Sequence, residues 1–261
     1  MEKALFKKEY IEDLFSSKYL NEKGYSLAFK LNNDELQKIR EYIYDQWIYR
    51  IQLLDKNLLK FIKNNQITLE DYHIISSKID HSKTWNKTSR ILPPSFSNWF
   101  FQSEFSDKLR QIFGEFSVSD EDFLGWPNFY WRIVRPNCTS DVGPLHRDQW
   151  FWSLNPEFEK HSKDFRRIKV WIAIYTEPGL NGLLVEKGSH KREDIKWSGE
   201  SRDGIIKPVI LNEKNELNPK LIARSPGETI VFDDSLLHGG AINKGKKSRI
   251  SLEFTMFVRD N

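Results

Sequence analysis

The sequence lacks several features that would restrict its function at once. It contains a single cysteine, Cys138, so an internal disulfide is excluded and nothing marks an oxidising compartment. No stretch approaches the roughly 18 consecutive apolar residues that a membrane-spanning helix requires, and the first residues contain no apolar signal-peptide core. We therefore expect a cytoplasmic protein that does not associate with membranes.

A strong charge of one sign is also absent. The chain has 40 basic and 37 acidic residues, which are interspersed and leave a net charge of +3. Such a surface does not attract a polyanion, so we expect no nucleic-acid partner. The sequence leaves the oligomeric state open.

The chain does contain ample material for a core, since 39% of its 261 residues are hydrophobic and 14% are aromatic. Strand-rich barrels of this length commonly form one unit, so we expect one domain over residues 1–261. The hydrophobic pattern changes near residue 115, which predicts a mainly helical scaffold over 1–115 and a β-rich core over 116–261.

Helical spacing is clearest after Asn33, a potential cap, where apolar residues recur through Trp47 and predict a helix over 34–54. Further helices are predicted around 58–62, from Thr68 onward and over 105–113, with a strand over 24–29 and a break at Pro93-Pro94. In the second half the predicted strands are 129–135, 145–152, 168–176, 182–185, 207–211, 228–232 and 249–258. These features favour an antiparallel barrel or a two-sheet jelly roll buttressed by the helices, with a plain β-sandwich as the alternative.

A candidate metal site follows from His146 and Asp148. On the predicted strand their side chains leave the same face, and imidazole with carboxylate suits a divalent first-row metal. His238, at the end of the later apolar strand, is the natural third ligand. Each of these residues is ordinary alone, and an isolated His-x-Asp is more often an ordinary surface or hydrogen-bonded pair than a metal site.

A candidate anion site follows eleven residues after His238. Arg249 and Ser251 alternate along the last predicted strand and therefore share a face. A guanidinium offers a planar fork to a carboxylate, and a serine hydroxyl adds a hydrogen bond. A dicarboxylate could bind there, although an exposed strand arginine is the simpler interpretation.

The motifs together resemble the phytanoyl-CoA dioxygenase-like branch of the Fe(II)- and 2-oxoglutarate-dependent oxygenases. The resemblance covers roughly residues 128–258 and rests on Leu145-His-Arg-Asp148, Asn181-Gly-Leu-Leu-Val-Glu-Lys-Gly-Ser-His190 and His238-Gly-Gly followed by Arg249-Ile-Ser251. It implies a double-stranded β-helix in which His146, Asp148 and His238 bind Fe(II) and Arg249 binds the distal carboxylate of 2-oxoglutarate.

The activity that the resemblance implies uses O2 to oxidise a small organic molecule, with release of succinate and CO2. The carboxylate of Asp148 favours hydroxylation, because halogenating relatives have a small residue there. Desaturation, epoxidation and ring formation stay open. His190, at the end of a Gly-Ser-His turn, is placed outside the metal site.

Substrate contacts are predicted less directly. Trp150 and Trp152 continue the alternation of the metal ligands and are candidates for an apolar wall, with core packing as the alternative. Arg132 is a candidate for an anionic group, with a surface salt bridge as the alternative. The segment 151–167 is a candidate flap over the substrate or an inert loop.

Two other functions remain compatible with the sequence. A non-catalytic jelly-roll module could use the tryptophans to bind a carbohydrate or another ligand, although this leaves the spacing of Arg249 from His238 without a reason. A cupin-like metalloenzyme could use the same metal ligands without 2-oxoglutarate.

Overall fold

The order of elements separates a helical first part from a strand-rich second part. The structure is a computed structural model that describes residues 17–155, 165–202, 205–213 and 216–259. The α-helices are α1 Ser17–Lys23, α2 Asn33–Leu54, α3 Lys56–Asn64, α4 Tyr72–Ile75, α5 His81–Thr84, α6 Pro94–Phe100, α7 Glu104–Phe113 and α8 Asp148–Ser153. The strands are β1 Tyr25–Ser26, β2 Phe116–Val118, β3 Tyr130–Val134, β4 Phe165–Tyr175, β5 Leu183–Val185, β6 Trp197–Arg202, β7 Ile205–Ile210, β8 Lys220–Ile222, β9 Thr229–Asp233, β10 His238–Gly240 and β11 Arg249–Arg259.

The long helix α2 begins with a reciprocal cap. The side chain of Asn32 accepts a hydrogen bond from the backbone of Glu35, whose carboxylate accepts one from the backbone of Asn32. Asn33 is already helical, so the sequence-based assignment of Asn33 as the cap was wrong by one residue. The buried face of the helix includes Ile39, Ile43 and Trp47, as their spacing predicts.

The larger sheet is antiparallel, with strand order β1-β9-β4-β11-β2, and β3 also pairs with β11. Along β11 the side chains alternate between its two faces. Those of Ile250, Leu252 and Phe254 belong to the main hydrophobic cluster together with residues of the helices. The helices therefore cover one face of this sheet, as the sequence predicts.

The opposite face of the larger sheet packs on a smaller one, with strand order β10-β5-β8. The apolar layer between the two sheets contains Trp171 and Phe232 from the larger sheet and Leu183 and Val185 from the smaller. A separate hairpin, β6-β7, completes the set of described sheets. Two face-to-face antiparallel sheets with helices on the outside confirm the predicted jelly roll.

One predicted strand, 145–152, was wrong. His146 forms only an isolated bridge, and the chain then turns into α8, which begins at Asp148. Residues two apart on a helix point to nearly opposite sides, and the two tryptophans of α8 do so. Trp150 stacks on Trp197, whereas Trp152 packs on Phe257, and a strand with both rings on one face could not make these contacts.

Smaller differences lie in the helical part. Pro94 does not end a helix but occupies the start of α6, where its missing N–H is not needed. The segment after Thr68 is a 3₁₀ turn followed by the short α4, and Thr68 makes no capping bond to a backbone N–H. The strand predicted over 24–29 is reduced to Tyr25–Ser26. Among the helices described, none is both long enough and apolar enough to cross a membrane.

Candidate metal centre

Two histidines distant in sequence are neighbours across a backbone bridge. The N–H of His146 donates to the carbonyl of His238 at 2.8 Å, and the N–H of His238 donates to the carbonyl of His146 at 2.9 Å. Their ring centroids are 4.5 Å apart. The bridge therefore places His146, two residues before α8, next to His238, the first residue of β10.

Asp148, the first residue of α8, completes a three-residue cluster. Its Oδ1 lies 3.4 Å from Nε2 of His146, and its Oδ2 lies 3.7 Å from Nε2 of His238. One ligand atom from each residue lies within 4.8 Å of the others. The structure therefore brings together the three side chains that the sequence singles out, although a helix start rather than a strand positions Asp148.

Backbone carbonyls orient both imidazoles. Nδ1 of His146 is 2.9 Å from the carbonyl oxygen of Pro144, and Nδ1 of His238 is 2.9 Å from that of Leu236. A carbonyl only accepts, so each Nδ1 carries the proton and each Nε2 presents a lone pair. This arrangement fixes the tautomer that a metal requires.

The electrostatics of the cluster keep His238 neutral and Asp148 ionised, the forms that bind a metal. Burial lowers the pKa of His238 to about 4, so its imidazole is neutral at neutral pH. Burial alone would raise the pKa of Asp148, but Lys169 and the two histidines hold it well below its usual range. Oδ2 of Asp148 is buried without a hydrogen-bond partner among the described residues, which fits a carboxylate oxygen that binds a cation.

A second group of buried polar atoms lies at the start of β11. Arg249 donates through Nη1 to the carbonyl of Gly182 at 2.7 Å, but its Nε has no partner among the described residues. Ser251 shares the face of Arg249, is fully buried, and its hydroxyl also lacks one. Burial lowers the pKa of Arg249 to about 10, so it stays cationic at neutral pH. A buried cation and hydroxyl with free donors suit a carboxylate.

Arg132 lies directly opposite Ser251 in the pairing of β3 with β11. Its side chain is 47% exposed and contacts Glu253 through Nε at 2.7 Å and Nη2 at 2.5 Å. Arg132 is therefore both ion-paired and accessible on the face that carries the candidate anion site.

The two tryptophans that the sequence offers as an apolar wall pack in different places. Trp150 belongs to an apolar cluster with Ile195 and Leu237, and Trp152 lies under the guanidinium of Arg167, 5.2 Å from ring centroid to Cζ. Packing accounts for both rings, so their contact with substrate stays a prediction.

The predicted flap, 151–167, is only partly covered by the structure. Its first residues are in α8 and its last three are in β4, whereas 156–164 lie outside the described residues. Phe151 is 40% exposed and packs edge-on against His146, with 5.3 Å between ring centroids. Phe151 is thus the described residue of this segment that contacts the metal cluster.

The Gly-Ser-His turn supports the site without joining it. Nε2 of His190 lies 2.9 Å from the carbonyl oxygen of Asn21, and the metal cluster consists of His146, Asp148 and His238 without it. Ser189 accepts a hydrogen bond at its hydroxyl from the N–H of Leu237 at 2.8 Å, and its carbonyl accepts one from Arg147. The turn therefore binds the residues adjacent in sequence to His146 and His238.

Sequence reasoning missed a set of charged side chains on the inner face of the sheet. Nζ of Lys169 lies 3.7 Å from Oδ2 of Asp148 and 3.4 Å from the hydroxyl of Thr255. That hydroxyl donates to Glu121 at 2.9 Å. The available signal was a lysine within the apolar run Ile168 to Ile174, because a charge inside a buried strand needs a partner.

Comparison with known proteins agrees with this geometry. Residues 21–251 match the family model described as phytanoyl-CoA dioxygenase (PhyH). The fold is similar to a non-heme monooxygenase, ThoJ, in its apo form, at 11% identity over 92% of this chain and 76% of that chain, with a TM-score of 0.53. It is also similar to EvdO2 from Micromonospora carbonacea var. aurantiaca complexed with 2-oxoglutarate, at 12% identity over 92% and 89% of the two chains, with a TM-score of 0.53.

A third similar structure is SnoK, a non-heme alpha ketoglutarate dependent carbocyclase from nogalamycin biosynthesis, at 9% identity over 95% and 83% of the chains, with a TM-score of 0.52. At these identities the structures establish the fold alone. No curated protein gives a significant sequence match. The family model spans most of the residues, including all three of the metal cluster, and on that evidence the chain belongs to the phytanoyl-CoA dioxygenase family.

Proposed function

We propose that this protein is an Fe(II)- and 2-oxoglutarate-dependent dioxygenase that hydroxylates a small organic molecule. The observation that carries the proposal is the convergence of two imidazole Nε2 atoms and one buried carboxylate, with each imidazole oriented by a backbone carbonyl. Three ligands on one face of an octahedral ion leave three positions for a chelating 2-oxo acid and O2. Membership of the family supports a dioxygenase-type activity.

In this proposal His146, Asp148 and His238 hold the iron. When bound, the iron supplies oxidation of a substrate C–H bond coupled to conversion of 2-oxoglutarate into succinate and CO2. The carboxylate of Asp148 supports hydroxylation over halogenation, because it fills the position that a halide would need.

Arg249 and Ser251 bind the distal carboxylate of 2-oxoglutarate in this proposal. Their buried and unpartnered Nε and Oγ support this assignment. They also favour a 2-oxo acid enzyme over a cupin-like metalloenzyme, because a 2-oxo acid supplies a carboxylate for the donors of Arg249 and Ser251 that have no partner among the described residues. Arg132, accessible on the same face, is assigned to the substrate.

We also propose that the chain acts as one domain over residues 1–261. One hydrophobic cluster supports this, because it joins Trp47 and Phe100 of the helices to Ile250 and Phe254 of β11. Because the helical part shares its hydrophobic core with the larger sheet, it has no core of its own and does not form a separate domain.

Anaerobic titration of the purified protein with Fe(II) and then 2-oxoglutarate tests the proposed function. The wild type should develop a weak visible charge-transfer band, and with O2 and substrate it should release succinate. His146→Ala and Asp148→Ala should reduce iron-dependent succinate release by at least about a hundredfold, since each removes a ligand. His73→Gln removes an imidazole from α4 and serves as the matched control.

The rival functions give different results in the same titration. A non-catalytic binding module would bind no Fe(II) at this site, and a cupin-like metalloenzyme would bind Fe(II) without a new band on addition of 2-oxoglutarate. Unchanged succinate release in His146→Ala and Asp148→Ala would contradict the proposal. Thermal melts of all variants control for loss of folding.

A further inference from the structure

A buried lysine faces the candidate metal centre, and neither the family motifs nor the proposed ligand set gives it a role. Lys169 lies on β4, and its side chain is 10% exposed. Burial of an ammonium is costly unless a charged or polar partner compensates. Its partners are Asp148 on one side and Thr255 on the other.

The ammonium is fixed at this location from both sides. Thr255 accepts from Lys169 at 3.4 Å and donates its own proton to Glu121 at 2.9 Å, so its oxygen is directed at the lysine. The contacts therefore run in series from Glu121 through Thr255 and Lys169 to Asp148. Its Nζ is 3.7 Å from Oδ2 of Asp148, which is buried without a hydrogen-bond partner among the described residues.

This position affects binding of the metal alone more than binding of the metal together with its cosubstrate. A divalent cation bound to Asp148 would lie near the ammonium, and the two like charges repel at short range in a buried site. A dianionic cosubstrate on the same ion would offset its two charges, so the lysine would then face a neutral pair. The lysine thus weakens binding of the metal alone and has little effect on the metal with its cosubstrate.

We propose that Lys169 is a positioning residue that acts through Asp148 and makes metal binding depend on the dianionic cosubstrate. This inference rests on the proposed function. Lys169 increases the coupling between the two ligands. 2-Oxoglutarate strengthens metal binding and, by reciprocity, the metal strengthens 2-oxoglutarate binding. In the free protein Lys169 serves as the counter-ion of Asp148.

Titration of the metal-free, full-length protein with Co(II) tests this inference, with and without saturating 2-oxoglutarate, under anaerobic conditions. Lys169→Met removes the charge while retaining an unbranched side chain. It should bind Co(II) alone at least about tenfold more tightly than wild type, because the repulsion is lost. With 2-oxoglutarate present the two proteins should differ by less than about threefold, so the coupling factor should shrink.

Two further variants separate charge from shape. Lys169→Arg retains the charge and should retain wild-type coupling. Lys207→Met removes a lysine from the exposed face of the β6-β7 hairpin and is the matched control for total charge. If Lys169→Met does not melt cooperatively, Lys169→Gln provides a second neutral side chain.

The possible failures are distinguishable. Equal or weaker binding of Co(II) alone by Lys169→Met, or retention of the wild-type coupling factor, would overturn the role of Lys169 and leave the proposed function intact. Wild-type protein that binds no Co(II), or whose Co(II) affinity does not respond to 2-oxoglutarate, would overturn the proposed function and this inference together.

Discussion

At the scale of single residues, the site is marked by polar atoms that the fold buries without satisfying. Among the described residues, the unpartnered buried atoms that belong to the candidate site are Oδ2 of Asp148, Nε of Arg249 and the hydroxyl of Ser251. Buried polar groups are almost always hydrogen-bonded, and an unpartnered one costs about 1–3 kcal/mol. Arg249 and Ser251 share one face of β11, and Asp148 belongs to the metal cluster, so the unpartnered atoms at these positions fit ligand binding.

Substitution of Arg249 should separate stability from ligand binding. Arg249→Met removes a buried and incompletely paired charge, so the melting temperature of the ligand-free protein should stay equal or rise. Binding of 2-oxoglutarate should weaken roughly 10- to 100-fold, which corresponds to about 1.5–3 kcal/mol for charge-assisted hydrogen bonds. Calorimetric titration and a thermal melt measure the two effects. A large fall in melting temperature with unchanged 2-oxoglutarate affinity would show that Arg249 serves the core and not the cosubstrate. Arg249→Lys, which retains the charge, should have a 2-oxoglutarate affinity between those of the wild type and Arg249→Met.

The stability of the metal-free protein should depend on pH through His238. The folded protein lowers the pKa of this histidine from 6.5 to about 4, so between these values the unfolded chain binds more protons. Stability should therefore fall as pH decreases from about 6.5 to about 4, by up to roughly 3 kcal/mol. Urea unfolding in the presence of a chelator measures this. His238→Gln should lose less stability over the same interval, and an equal loss would show that other groups are responsible.

At the scale of elements, α8 shows where pattern reasoning fails. The alternation from His146 to Trp152 matches a strand, but Trp150 and Trp152 have partners on opposite sides, which a single helical turn satisfies. A local pattern does not reveal where partners such as Trp197 and Phe257 will lie. The candidate ligands still converge, because a backbone bridge fixes His146 and the helix start fixes Asp148.

Truncation of the tryptophan in α8 should distinguish packing from substrate contact. Trp150→Ala removes a buried ring that stacks on Trp197, so it should destabilise the protein by about 3–5 kcal/mol. Phe151→Ala, the adjacent exposed ring on His146, should cost less than about 1 kcal/mol. Chemical denaturation of both variants provides the test. A stable Trp150→Ala protein with weakened substrate binding would instead support the predicted contact of Trp150 with substrate.

At the scale of the whole molecule, the architecture could be predicted from the sequence more fully than the individual tertiary contacts. Alternating runs such as 249–258 and the helical spacing through Trp47 are local signals, so the jelly roll and its helical layer could be predicted. The contact of Lys169 with Asp148 is not local, because it depends on how β4 is placed beside the turn into α8. The three residues of the metal cluster could be predicted from the sequence because their types, spacing and order along the chain are themselves sequence features.

The bridge between the two histidines has a mechanical consequence for the molecule. His146 follows the last turn after β3 of the larger sheet, whereas His238 begins β10 of the smaller one. An ion bound by both histidines would join the segment before α8 to the edge of the smaller sheet, where a pair of backbone hydrogen bonds links His146 to His238. Loss of the ion should weaken this contact, so amide exchange near 144–148 and 236–240 should speed up before exchange in the strands that the helices cover.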